Sequence, residues 1–142
     1  MTILDSNVAS QIVKQEHSEA GILHFFNHIA VVEFYEGLHV DLNSGRQTIN
    51  DLMNYFGTTK PFGLIANRVN SYSISLLETV EVKSIFPNMV AYGVVSHNEA
   101  GRMNALIESS FCENKNISYD NLYEALDKVH KSVIAKTTLS LN

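Results

Sequence analysis

The side chains best suited to chemistry in this sequence lie in the stretch PFGLIANRVNSYSIS, where an apolar run becomes polar. Asn67 and Arg68 end the apolar run, and Ser71, Tyr72 and Ser73 follow. Arginine can hold a carboxylate or phosphate through its planar guanidinium, and serines at a helix N-terminus can bind an anion or accept a phosphoryl group. Structural roles are also open: Arg68 could bond loop carbonyls, the serines could cap a helix, and Tyr72 could line a pocket or pack across the loop.

A second polar segment, SHNE, follows the apolar run MVAYGVV. His97 could titrate near neutral pH and act as an acid or base. Ser96 and Glu99 have the spacing of a capping box, so helix initiation explains both. No nucleophile or acid–base set is readable from the sequence, and we therefore predict no catalytic residue and no enzymatic activity.

The six histidines show no spacing typical of metal ligands. His24 and His28 are four residues apart, but they fall on a predicted strand and turn, where that spacing does not bring side chains together. Glu33, Glu36 and Asp41 are interpreted as solvated positions around a hairpin. A Gly-rich phosphate loop is also missing, so we expect neither a metal nor a cofactor.

The composition limits the classes of protein and partner. A chain of 142 residues fits one domain, and its net charge of −5 argues against a nucleic-acid partner. The single Cys112 excludes an internal disulfide and fits a reducing compartment. Neither a signal peptide nor a membrane-spanning run is recognisable, so we expect a cytoplasmic protein without membrane insertion. We place a tail or edge strand at residues 1–19, a domain at 20–135 and a tail at 136–142.

The elements that must position these residues begin with a hairpin. The runs ILHFF and IAVVEFYE are rich in β-branched and aromatic residues, and only Asn27-His28 separates them. Alternation places Val32 and Phe34 on one side of the second strand, and Gly37 ends it. Ahead of the hairpin, residues 8 to 15 could form an edge strand or an amphipathic helix.

Helical spacing then alternates with apolar strands. A helix is predicted to start at a cap on Asn43 or Ser44 and to end at Gly57. FGLIA and MVAYGVV are apolar on both faces, as central strands covered by helices require. Further helices are predicted within residues 74–85 and 98–111, and a last helix, capped by Ser118, follows a short strand near NIS. The inward-facing residues of the first predicted helix are Ile49, Leu52, Met53 and Phe56.

This order predicts an α/β fold: a mixed sheet with an opening antiparallel hairpin, parallel core strands and about four helices. In such sheets ligands usually bind beyond the carboxyl ends of the parallel strands. Both polar segments leave strands at that edge, which makes it the place to look for a site.

The layout resembles the STAS superfamily of sulfate transporters and anti-sigma-factor antagonists, and more closely its small bacterial STAS-like members of uncharacterised function. The resemblance rests on ILHFFNHIAVVEFYEGLHVD, KPFGLIANRVNSYSIS, VAYGVVSHNEAGRMNALIE and NISYDNLYEALDKV. In STAS regulators a serine after the corresponding strand is phosphorylated and switches partner binding, which implies Ser73 or Ser75 as phosphoacceptor. The resemblance thus implies a regulatory domain, dimeric, that binds a protein partner through residues 67 to 75.

A second function is implied by the similarity in shape to CRAL-TRIO lipid-binding domains. The chain would then carry or sense a small apolar or anionic ligand between helices and sheet, and Arg68 and Tyr72 would contact its head group.

Overall fold

A six-stranded mixed sheet forms the centre of the computed structural model, which describes residues 1–75, 81, 83–98 and 117–141, with side chains described through residue 137. The strand order is β1-β2-β3-β5-β7-β8. The first three strands are antiparallel, and β3, β5, β7 and β8 run parallel. The strands are β1 (Lys14–His17), β2 (Gly21–Phe25), β3 (Ile29–Phe34), β5 (Phe62–Arg68), β7 (Met89–Ser96) and β8 (Ser118–Tyr119).

The opening hairpin forms as predicted, with Asn27 and His28 in the turn between β2 and β3. An edge strand precedes it, but later than expected: β1 begins at Lys14, and Ala9–Gln11 is a 3-10 helix. Another 3-10 helix, Ile3–Asp5, buries the Ile3 side chain completely. The first residues of the chain therefore pack against the sheet before the edge strand begins.

Helix α1 (Arg46–Phe56) covers one face of the sheet. Leu52 and Phe56 join Val32, Leu64 and other strand residues in an apolar cluster, as their spacing predicted. The predicted end is confirmed, since Gly57 has a φ of 68° and donates its N–H to the Met53 carbonyl. The predicted cap is wrong: Gly45 precedes the helix without a side-chain cap, because Ser44 instead bonds the Asp41 carboxylate in a local turn.

Helix α2 (Leu122–Leu141) covers the opposite face. Its residues Leu122, Ala125, Val129 and Val133 pack with Ile29, Val31, Ile65 and Val95 in a second apolar cluster. Ser118 does not cap this helix, since it lies in β8. The cap is Asn121, whose Oδ1 accepts the Glu124 N–H at 2.9 Å, because an asparagine one residue before the helix reaches that N–H directly.

The segment after β5 differs from the prediction. Ser73–Ile74 forms β6, a strand that pairs in parallel with β4 (His39–Val40) in a separate two-stranded sheet. The backbone of residue 74 is therefore extended rather than helical, and the N–H groups of Ser73 and Ser75 on either side of it donate to the carbonyls of Leu38 and Val40. Residues 83–85 are helical as predicted. Three features of the sequence lie outside the described residues. They are the predicted apolar face at residues 76–80, the predicted helix at 98–111 apart from residue 98, and Cys112.

The contact between α2 and the sheet gives a test of this packing. A Cβ added at Gly63 would lie 2.2 Å from Cγ1 of Val129 and 3.3 Å from Val133. Gly63→Ala should therefore lower the free energy of unfolding by about 1–3 kcal/mol through overpacking. Chemical denaturation of Gly63→Ala, Val129→Ala and the double variant measures the coupling. The double variant should lose less unfolding free energy than the sum of the losses in the two single variants. A loss equal to that sum would contradict this contact.

Candidate functional site

A buried carboxylate, Glu33, stands at the carboxyl end of β3, on the α2 side of the sheet. It is 7% exposed and accepts three hydrogen bonds. His24 Nε2 lies 3.0 Å from Oε1, while the Ile3 backbone N–H and Asn67 Nδ2 donate to Oε2 at 2.9 and 2.6 Å. The carboxylate thereby joins β2, β5 and the N-terminal segment. We call Gln15, His24, Glu33, Asn67 and His97 the edge network.

These hydrogen bonds decide the charge state of Glu33. Burial acts to raise the pKa of its carboxyl group, but the hydrogen bonds from His24, Ile3 and Asn67 outweigh burial and hold that pKa below its usual value. Glu33 is therefore ionised at neutral pH. On the outer side of the network, Gln15 Nε2 lies 2.9 Å from His24 Nδ1, so the buried imidazole is bonded at both ring nitrogens.

Asn67 links Glu33 to His97 through hydrogen bonds at both ends of its side-chain amide. The carboxylate of Glu33 and the Met1 carbonyl accept both hydrogen bonds from Asn67 Nδ2, which turns Oδ1 toward His97 Nε2 at 3.0 Å. Because Oδ1 can only accept, Nε2 of His97 must carry its proton. Burial and the nearby N-terminal amine lower the pKa of His97, although Glu33 acts in the opposite direction. His97 is thus a neutral imidazole in one fixed tautomer, exposed at the sheet edge with Nδ1 as acceptor.

The predicted site residues therefore divide into separate groups. Asn67 and His97 come together in the edge network, but Arg68, the next residue of β5, points to the opposite face. There Arg68 Nε donates to the Tyr72 hydroxyl at 3.3 Å, and the guanidinium lies over the Tyr72 ring. Tyr72 in turn packs edge-on against Phe34, with ring centroids 5.3 Å apart.

The three serines lie in an extended segment. Ser71 is held by its N–H, which donates to Glu36 Oε2 at 2.7 Å. Ser73 lies in β6, and its hydroxyl is 2.7 Å from His39 Nδ1 on the surface. Ser75 follows and donates its N–H to the Val40 carbonyl. Ser73, one of the two candidate phosphoacceptors, is thus on a strand rather than in the first turn of a helix.

Three members of the edge network, Gln15, His24 and Glu33, were missed from the sequence. Glu33 was interpreted as solvated, and His24 was considered only as a metal ligand, yet His24 is completely buried. The alternation of IAVVEF did contain the signal, since it places Glu33 on the same face as the buried Val31. The predicted capping role of Ser96 stays a prediction, since Glu99 and the helix lie outside the described residues; among the described residues the buried Ser96 hydroxyl has no hydrogen-bond partner.

A cavity of about 680 Å³ opens on the α1 side of the sheet. Its walls come from the inner face of α1 and from the apolar faces of β3 and β5, and it continues round the edge of β7 to α2. Along this edge β8 pairs with Val94 and Val95 in the described part of the chain, and residues 89–92 are half-buried. The apolar side chains at its centre are Val32, Phe34, Ile49, Leu52, Leu64 and Ala66.

Comparison with known proteins identifies the fold of the chain. No protein-family model matches the chain, and no curated protein matches it either. A similar solved structure is an uncharacterised protein of the DUF3478 family with a SpoIIAA-like fold from Shewanella loihica PV-4. The two share 10% identity with a TM-score of 0.53, over 82% of this chain and 90% of the other. The chain therefore has the STAS-like fold that its sequence predicted.

No described helix combines the length and apolar character needed to cross a bilayer.

The edge network predicts how stability depends on pH. Since folding lowers the pKa of Glu33 from its ordinary value of 4.5, its ionisation stabilises the fold above that pH, and this contribution is lost as the pH falls through the lower folded value. Glu33→Gln should cost about 1–3 kcal/mol at pH 7, because it replaces an acceptor with a donor facing Ile3 or Asn67. In urea unfolding, the difference from the unmodified chain should shrink as the pH drops below about 4.

Glu19→Gln is the matched control, because Glu19 is exposed and has no described contact. It should leave the stability unchanged at both pH values. A Glu33→Gln penalty that is the same at pH 7 and pH 3 would show that the charge of Glu33 does not stabilise the fold.

Proposed function

We propose that this STAS-like domain binds a small, largely apolar ligand with an anionic end in the cavity between α1 and the sheet. The observation that supports this proposal is the cavity itself. Protein interiors are normally filled to crystal-like density, so an opening of this size against central strands is unusual for a purely structural domain. Its volume lies within the roughly 300–1,000 Å³ range of small-molecule sites.

The walls of the cavity favour an apolar ligand body. The surfaces that it reaches belong to β3 and β5, whose side chains Val32, Leu64 and Ala66 are otherwise excluded from water. Ile49 of α1 and Ile74 of β6 face the same space. A ligand that covers these side chains gains about 25 cal/mol for each Å² of apolar surface removed from water.

The charged residues at the cavity favour an anionic end group. Lys83 and Lys136 both line it, whereas Asp41 is the one carboxylate among the described lining residues. Among the described lining residues this balance of charge favours a carboxylate or a similar group. Arg68 and Tyr72, predicted to contact a head group, are not among the described lining residues. Tyr72 instead packs against Phe34, which does line the cavity.

A regulatory role through a protein partner, a homodimer and phosphorylation of Ser73 or Ser75 stay predictions from the STAS resemblance. Ligand binding is compatible with such a role, since β6, which carries Ser73, also carries the cavity residue Ile74. We place the ligand first because the cavity is a feature of this chain's own geometry. Absence of catalysis likewise stays a prediction.

The proposal can be tested with 1-anilinonaphthalene-8-sulfonate, a fluorescent probe with an apolar aromatic body and a sulfonate. We expect saturable binding of one probe per chain. Ser132 lines the end of the cavity at α2, so Ser132→Trp should occupy that end and weaken binding by at least about tenfold, the loss expected when about 1.4 kcal/mol of contact is removed. Lys136→Gln should weaken binding of this probe more than binding of the uncharged N-phenyl-1-naphthylamine.

Lys128→Trp is the matched control, since Lys128 is exposed on the same helix and does not line the cavity. It should bind the probe like the unmodified chain. Thermal unfolding of each variant excludes probe binding to a loosened state. Equal binding by the two Trp variants, or binding that never saturates, would contradict the proposal. Native mass spectrometry of protein purified from cells would then identify the natural ligand.

A further inference from the structure

Two histidines far apart in sequence meet at a second groove, which lies between the β2–β3 turn and α2. His28 Nε2 lies 2.6 Å from His130 Nδ1, and the ring centroids are 4.8 Å apart with only 28° between the ring planes. The two rings therefore meet edge to edge, with a nitrogen of each directed at the other. The groove has a volume of about 560 Å³ and is also lined by Asp127, Gln11 and Asn27.

A shared proton explains the contact when nothing is bound. One imidazole donates its N–H, and the other accepts it through a lone pair. The same lone pair of a neutral imidazole can bind a metal ion.

We propose that His28 and His130 form a binding site for a late first-row divalent metal ion, with Asp127 as a third ligand. Metal–imidazole bonds are about 2.0–2.1 Å long, so two cis ligands of a tetragonal ion have nitrogens about 2.9 Å apart. The two nitrogens need to separate by only a few tenths of an ångström, while each ring turns so that its lone pair points at the ion instead of at the other ring. On binding, the shared proton moves to the other nitrogen of its own ring, and no net proton is released.

Asp127 stands three residues before His130 on α2, so both side chains project from the same side of the helix. Its Oδ2 here accepts a hydrogen bond from Lys131 at 3.0 Å. The side chains of this pair are 53% and 68% exposed, and such pairs contribute little to stability, so the carboxylate can exchange one cation for another. Within the described part of the chain no three potential ligands are gathered around one point, so the Asp127 side chain has to move to reach an ion held by the two histidines.

The charges around the groove set the kind of ion. Lys60 approaches from the α1–β5 loop, where its Nζ donates to the Asn27 carbonyl, and it opposes any cation. Asp127 compensates for this charge. Imidazole nitrogens with few carboxylates select nickel or copper rather than magnesium or calcium, which prefer sites made of oxygen atoms. This site is separate from the proposed ligand cavity, with which it shares no lining residue.

Calorimetric titration of the full chain with Ni²⁺ tests the proposal. We expect one Ni²⁺ per chain, and His28→Asn and His130→Asn should each weaken binding by at least about tenfold, since loss of second-shell partners alone costs 10–100-fold. Asp127→Asn should weaken binding less than either. His17→Asn is the matched control, because His17 is an exposed histidine on β1 and does not line this groove.

Electron paramagnetic resonance of the Cu²⁺-loaded chain counts the ligands directly. The unmodified chain should show two coordinated imidazoles, and each of the two groove variants should show one. Circular dichroism checks that the variants fold. Failure to bind Ni²⁺, binding that survives in both groove variants, or an equal loss in His17→Asn would overturn the proposal, as would an unchanged Cu²⁺ spectrum in His28→Asn and His130→Asn.

Discussion

The carboxylate of Glu33 is the constraint on which the arrangement of the sheet's carboxyl edge depends. A buried charge is tolerated only when its hydrogen bonds replace the water it has lost, and each of its three donors comes from a different part of the chain. The N-terminal segment must therefore return to the sheet, β2 must present His24 inward, and β5 must end in a side chain that donates. Asn67 meets the last requirement and extends the restraint to β7 through His97.

In the described part of the chain, side chains pack more closely on one face of the sheet than on the other. On the α2 side, Val129 and Val133 pack closely on Gly63, where the strand has no side chain and lets the helix approach. On the α1 side, α1 (Arg46–Phe56) packs on β3 and β5, and the cavity lies beside this helix in the described part of the chain. A rigid polar edge, a tightly packed face and an accessible apolar face thus belong to one sheet.

Features that depend on neighbouring residues could be predicted from the sequence, whereas contacts between distant residues could not. The hairpin at Asn27-His28, the buried stripe of α1 and the two-sided strands β5 and β7 follow from spacing, because a few neighbouring residues decide them. The cap at Asn121 was missed because several polar residues precede α2 and only the backbone position selects one of them. Asn67 and His97 were both predicted site residues and are hydrogen-bonded to each other, but their partner Glu33 was not predicted, since a carboxylate is assigned to the surface unless its donors are known. The contact between His28 and His130 spans 102 residues of sequence, and no local pattern could indicate it.

The small sheet of β4 and β6 has a mechanical consequence for the cavity. Three backbone hydrogen bonds, from Gly37 to Ser71, from Ser73 to Leu38 and from Ser75 to Val40, join the segment after β3 to the segment after β5. Val40 and Ile74 face the cavity from these two segments. A displacement of one strand must therefore carry the other along, or break those bonds. β4 and β6 therefore form a single unit of the cavity wall.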